Sequence, residues 1–355
     1  MRYLFPLNPY NQQRQFEKPV WVYPAHLAMY ATYLRNQGHD VRWGQEGDYN
    51  YGLSVYKRSQ YDKIIGDDTQ IDIPFDQLPY PDRTFTDAKN KRWQRYGNYK
   101  FHPATHMMAS NLCWYGKCTF CIDTAKLQSG EKRGIRSIDH VIDEIDDLIA
   151  NGYKEVFDDS GTFPVGEWLD EFCTKMRQKN RYKKIKVGCN MKPVKIDYKM
   201  MGQSGFRFIL VGLESANQET LDRIHKGQKA NQQEDRIRQM AEAGLEPHLT
   251  LMTSYPWETG EDEQKTIDMA HRLLRKGWAK TMQASIYSKP RTKPELTPKS
   301  IQSISKVYNI YRDPRFIYRK IIDIRCWEDF TYLLRGAKLV FEEKWRALCR
   351  DLQSK

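Results

Sequence analysis

Between Thr105 and Ser285, short apolar runs alternate with stretches whose apolar residues recur at helical spacing, and this alternation restricts the fold more than any other feature of the chain. Strand–helix–strand repeats bury both faces of a parallel sheet. Six runs read as strands, at 104–110, 155–157, 185–189, 208–211, 248–253 and 282–286, with helical patterns at 138–149, 167–178, 218–225, 232–243 and 262–275. Six such strands with crossover helices do not readily lie flat while leaving one end open. The expected fold is therefore α/β, a TIM-barrel-like partial (β/α)6 barrel whose active face is the C-terminal end of its strands.

Upstream, 25–36 reads as a helix ended by Gly38, followed by a strand at 40–43, which suggests a small N-terminal α/β cap over 1–77. The proline-rich run Leu78-Pro-Tyr-Pro-Asp-Arg83 opens a linker, 78–103, into the barrel at 104–286. A basic, mainly helical C-terminal extension occupies 287–355 and carries 16 Lys and Arg against 8 Asp and Glu, much of the chain's net charge of +12. That excess fits a solvated face or contact with RNA or another polyanion.

At 355 residues the chain can bury a large core, and 13% aromatic residues spread along it argue against disorder. No apolar stretch nears the roughly 20 residues needed to span a bilayer, and the N-terminus lacks a signal-peptide core, so the expected location is cytoplasmic.

Three of the seven cysteines crowd into Cys113-Trp-Tyr-Gly-Lys-Cys118-Thr-Phe-Cys121, immediately after a predicted strand. Three thiolates in one loop suit an iron–sulfur cluster with an open iron, or a structural zinc completed by His102, His106 or Cys189. The loop alone leaves both readings standing. Cys173, Cys326 and Cys349 lie in helical patterns and read as small buried apolar residues.

The C-x4-C-x2-C loop followed by strand–helix repeats resembles radical S-adenosylmethionine (SAM) enzymes, in the branch with cobalamin-binding and methylthiotransferase-like members. The family's usual spacing is C-x3-C-x2-C, so this loop carries one extra residue. The resemblance implies that Cys113, Cys118 and Cys121 hold a 4Fe-4S cluster that binds and reductively cleaves SAM to a 5′-deoxyadenosyl radical. It places Phe120 beside the adenine, and Asp158 or Asp159, in Phe157-Asp-Asp-Ser-Gly-Thr-Phe163, at the methionine amino group. Lys192 stands where the family often has an arginine facing the methionine carboxylate. Glu214 and Ser215, in Gly212-Leu-Glu-Ser-Ala-Asn217, resemble ribose or methionine contacts, and Met252 resembles a residue lining the adenine pocket.

The resemblance also implies a reductant such as ferredoxin or flavodoxin. The substrate, whether small molecule, peptide or RNA, is not legible. Cys189, Tyr255 and Tyr287 are candidate hydrogen-atom relays without an assigned role. Residues 24–41 resemble the start of a cobalamin-binding domain, but a complete doubly wound domain needs about five strands with crossovers, so no cobalamin is expected. The alternatives are a cobalamin-type radical methyltransferase, a non-catalytic iron–sulfur protein and a zinc-stabilised nucleic-acid-binding protein.

Overall fold

The structure, a computed structural model, describes residues 1–7, 22–46, 55–56, 60–66, 69, 71–90, 93–95 and 97–338. The N-terminal cap contains β1 (Arg2–Pro6), α1 (Ala25–Asn36), β2 (Asp40–Glu46), β3 (Val55–Tyr56) and β4 (Lys63–Ile64). Its strands pair in parallel in the order β3-β2-β1-β4. Only α1 and β2 were expected from sequence. β1 is a five-residue Arg-Tyr-Leu-Phe-Pro run too short to show alternation, and β3 and β4 are two residues each.

The main domain follows as β5 (Ala104–Met107), α2 (Ile122–Gln128), α3 (Ile138–Ala150), β6 (Glu155–Asp158), α4 (Glu167–Arg177), α5 (Arg181–Lys184), β7 (Lys186–Met191), α6 (Tyr198–Gln203), β8 (Phe206–Glu214), α7 (Gln218–Arg223), α8 (Ala230–Glu242), β9 (Glu246–Thr253), α9 (Gly260–Arg275) and β10 (Thr281–Ile286). These six strands form one parallel sheet in the order β10-β9-β8-β7-β6-β5, curled into a half-barrel. The expected partial barrel is thus present, with every strand where the apolar runs placed it. The missed elements are the helices α2, α5 and α6, of seven, four and six residues, each too short to display a period.

Alternation along the strands separates two faces. Val156, Val187, Cys189, Ile209, Val211, Leu249, Leu251, Met282 and Ala284 turn outward into the layer of helices, in a core that also contains Tyr3, Phe5 and Leu27 of the cap. The other face lines the lumen. Its floor is a train of rings, His106 to Phe157 (5.6 Å between centroids), Phe157 to Phe208 (6.0 Å) and Phe208 to His248 (5.6 Å). Beneath the floor, Arg207 pairs with Glu155 and Glu246, and Lys100 pairs with Glu246 and Asp329.

Asp329 and Arg335, which donates to the Tyr99 carbonyl at 2.9 Å, lie in helical residues 327–338 and close this end. Before them, α10 (Pro298–Tyr308) covers β10, with Tyr308 Oη accepting the Ala284 amide, and α11 (Pro314–Ile322) packs on α9. The 78–103 stretch is packed rather than free, burying Leu78, Arg83, Ala88, Trp93 and Tyr99. No helix among the described residues is long and apolar enough to cross a membrane. Cys349 lies outside the described residues.

Candidate active site

The cysteine loop spans the open end of the barrel and is pinned along its length. The Cys113 amide donates to Asp123 Oδ2 at 2.8 Å, Trp114 Nε1 to the Phe163 carbonyl at 3.1 Å, Tyr115 Oη to the His225 carbonyl at 3.0 Å and the Thr119 amide to the Ile224 carbonyl at 3.0 Å. Gly116, at φ 55°, supplies the left-handed turn between the first two cysteines. Cys121 then caps α2. Cys113 is buried with its Sγ 3.3 Å from Thr162 Oγ1, while Cys118 and Cys121 are half-buried.

Burial raises the thiols of Cys118 and Cys121, the latter to about 11, so neither would ionise readily without a nearby cation. Metal binding would supply that charge and release the protons. Among the described residues, no three His, Cys, Asp or Glu side chains are grouped as a mononuclear metal site. A zinc completed by the proposed fourth ligands does not fit. His102 precedes β5, at the end away from the cysteine loop, His106 is packed in the ring floor against Tyr99 and Phe157, and Cys189 is buried on the helix-facing side of β7.

The two aspartates at the end of β6 part company. Asp158 is fully buried, and its oxygens accept the amides of Ala109 (2.7 Å) and Ser160 (3.0 Å), which ties β6 to the start of the cysteine loop. Burial nevertheless lifts its carboxyl to about 6. Asp159 is exposed at the mouth, next to the buried Asp158.

Lys192, just past β7, is 7% exposed, and among the described residues it has neither an ion pair nor a hydrogen bond. Its ammonium sits 3.2 Å from the centroid of the Tyr115 ring. Burial lowers it to about 8, with the thiols of Cys118 and Cys113 as the nearby groups that favour its charge.

At the end of β8 the register shifts, and Glu214 takes φ 60°. Its buried carboxylate accepts from Lys226 Nζ at 2.7 Å, and Lys226 lies over the Phe120 ring at 5.7 Å. Ser215 is fully buried and donates to Glu258 Oε1 at 2.8 Å, an oxygen also held by Thr220 (2.7 Å) and Asn217 (3.2 Å). Phe120 and Met252 meet in an apolar cluster with Leu221, Ile224 and Tyr255, against which Trp257 and Tyr287 pack. The structure thus brings Cys113, Cys118, Phe120, Lys192, Glu214 and Met252 to one mouth, while Asp158 and Ser215 serve its framework. Of the candidate relays, Tyr255 and Tyr287 lie at this mouth with ring centroids 5.0 Å apart, and Cys189 does not.

The profile of the Radical SAM superfamily matches residues 107–270, the stretch from the end of β5 through most of α9. Residues 107–270 carry a radical SAM domain. An uncharacterized methyltransferase of Pyrococcus horikoshii is 26% identical over 184 residues, covering 47% of this chain and 36% of that protein. Two structures of the cobalamin-dependent S-adenosylmethionine radical enzyme OxsB are similar in fold. The apo form gives TM-score 0.53 at 14% identity and the aqua-cobalamin form 0.51 at 13%, each over 90% of this chain and 56% of that one. The chain therefore spans about a third of the curated relative's length.

A radical SAM domain implies a 4Fe-4S cluster and SAM. The site fits both: three thiols share one pinned loop, and Lys192, without an anionic partner, stands near two of them, Cys118 and Cys113. Residues that sequence reasoning passed over are Asp123, Tyr115, Lys226 and Glu258. The loop's extra residue was visible in the sequence, but none of these four carries a motif of its own, and they become partners only through folding.

Proposed function

We propose that this chain reductively cleaves SAM at a 4Fe-4S cluster held by Cys113, Cys118 and Cys121, and that the resulting 5′-deoxyadenosyl radical modifies a substrate held at the barrel mouth. The observation that carries the reading is Lys192, a residue only 7% exposed whose ammonium has no carboxylate partner and stands near the thiols of Cys118 and Cys113. Uncompensated charge is costly to bury, so such a cation calls for an anion from outside the chain. Lys192 would meet the methionine carboxylate, and Asp159, rather than the saturated Asp158, would accept from its amino group.

Phe120 and Met252 give an apolar surface for the adenine, and Glu214 supplies the carboxylate for the ribose. Ser215, through Glu258, holds the turn that presents Glu214. The lumen, closed below by its ring floor and by residues 327–338, excludes water from one side. The cluster, when bound, supplies the electron that breaks the sulfonium bond, and the protein orients and shields it. A small electron carrier such as ferredoxin or flavodoxin would reduce it.

The test is release of 5′-deoxyadenosine from anaerobically reconstituted protein given dithionite and SAM. Product that appears in the wild type and vanishes in Cys118→Ala is the expected result; no product in either would overturn the proposal.

The cap is proposed to shield the barrel without holding cobalamin, in keeping with one described helix and two strands of only two residues each. Methyl transfer through a corrin is the second reading. It is favoured by the cap's parallel sheet and by a fold likeness to a cobalamin-dependent enzyme that extends over 90% of this chain. Incubation with hydroxocobalamin followed by desalting decides between them, since near-stoichiometric retention would restore methyl transfer.

A further inference from the structure

Resting on the reading of SAM as ligand, we propose that Tyr115 is a positioning residue: its ring holds Lys192 in place for the carboxylate of that ligand. The loop's four-residue spacing between Cys113 and Cys118 sends its two aromatic residues to different duties. Trp114 ties the loop outward to the Phe163 carbonyl, and Tyr115 turns its face to the Lys192 ammonium, 3.2 Å from the ring centroid. The face of an aromatic ring attracts a cation, most strongly where both are shielded from water.

That attraction has a consequence a carboxylate partner would not have. A carboxylate would neutralise Lys192 and take up its hydrogen bonds, as Glu214 does for the neighbouring Lys226 at 2.7 Å. A ring steadies the ammonium while leaving its three N–H donors available. Lys192 is thereby fixed in position and still able to bind an incoming carboxylate.

Tyr115 is itself built in. Its hydroxyl donates to the His225 carbonyl at 3.0 Å, and a Cβ at Gly227 would lie 2.1 Å from the Tyr115 oxygen, so the chain keeps a glycine there to admit the phenol. The same imagined Cβ would lie 3.3 Å from Lys192 Nζ, which places ring, ammonium and the Gly227 backbone in one packed unit. Because Tyr115 stands between two of the three loop cysteines, ligation of the loop and placement of Lys192 are joined through one side chain.

The experiment compares binding of SAM and of decarboxylated SAM, which lacks only the carboxylate, to anaerobically reconstituted protein by calorimetry, with iron content measured on each sample. The wild type is expected to prefer SAM by about tenfold, the scale of one charge-assisted hydrogen bond. Tyr115→Phe keeps the ring and should keep that preference; Tyr115→Leu should reduce it to within about twofold at unchanged iron content. Lys192→Met should abolish it, and Tyr115→Leu added to Lys192→Met should change it no further, as expected when one residue acts through the other.

Should Tyr115→Leu lose iron, pentafluorophenylalanine at position 115 keeps the shape while reversing the charge distribution of the ring, and must abolish the preference. The proposal is overturned if either iron-replete replacement keeps the tenfold preference, if both ligands weaken equally, or if Tyr115→Phe fails as fully as Tyr115→Leu. A wild type that binds SAM but does not discriminate also overturns it. A wild type that binds neither ligand would instead remove the underlying reading.

Discussion

A Cβ on Gly161 would lie 1.9 Å from Oδ2 of Asp123, the oxygen that accepts the Cys113 amide, and 3.1 Å from Cys113 Cβ. The turn after β6 therefore packs directly on the base of the cysteine loop, and the glycine of Asp-Asp-Ser-Gly-Thr is needed for space. Gly161→Ala should push Asp123 off the loop, destabilise the fold by about 2 kcal/mol and at least halve the iron retained after reconstitution. Thermal unfolding and an iron assay check both; full iron loading would mean that the turn yields without disturbing the loop.

Asp158 and Asp159 should separate by function. Asp158→Asn leaves one of two buried amides without its acceptor and should cost about 1–3 kcal/mol, with little effect on SAM affinity once folded. Asp159→Asn should leave stability nearly unchanged and weaken SAM binding. Denaturant titration paired with calorimetry reads the two effects, and a reversed pattern would exchange the assignments.

Removing Lys226 strands the buried Glu214 carboxylate at a bulge with left-handed backbone. Lys226→Met should cost about 3 kcal/mol, and Lys226→Met with Glu214→Met should recover part of it. A single-variant cost under about 1 kcal/mol would show that water reaches the pair.

The lumen floor predicts an acid dependence. Burial lowers His106 to about 3 and His248 to about 4, so the unfolded chain takes up these protons first as pH falls below about 6.5. Their contribution is complete above that pH and is lost on acidification, at roughly 1.4 kcal/mol per histidine per pH unit. Asp158, raised to about 6, acts in the opposite sense and offsets part of the loss. Between pH 6 and 5, His248→Phe should show a slope of stability against pH shallower than wild type by about one proton; an unchanged slope would contradict the buried neutral imidazole.

The six strands were legible because each is an apolar run closed by turn residues, and the order of motifs along them singled out Lys192, Glu214 and Met252, which the fold brings to the same end of the sheet. Asp158 and Ser215 read as ligand contacts because a polar residue at a strand end looks the same whether it faces the lumen or the backbone of the next loop. Only the fold shows that Ala109 and Ser160 occupy the first and Glu258 the second. Tyr115, Asp123 and Lys226 gain their meaning from partners 10 to 110 residues away in the chain, a separation no local pattern reports.

The cysteines should divide cleanly. Cys113→Ala, Cys118→Ala and Cys121→Ala should each lose the cluster, whereas Cys173→Ala, on the buried face of α4, should keep it. Iron and acid-labile sulfide content of the four proteins is the readout, with about four of each per chain in any that retain a cubane. Equal loss in all four would withdraw the assignment.

The most direct measurement is the electron paramagnetic resonance spectrum of dithionite-reduced, reconstituted protein with and without SAM. A cluster held by only three thiolates leaves one iron open, so a reduced-cluster signal that changes on addition of SAM is the predicted result. Absence of any cluster signal, or a signal identical in both samples, would contradict it.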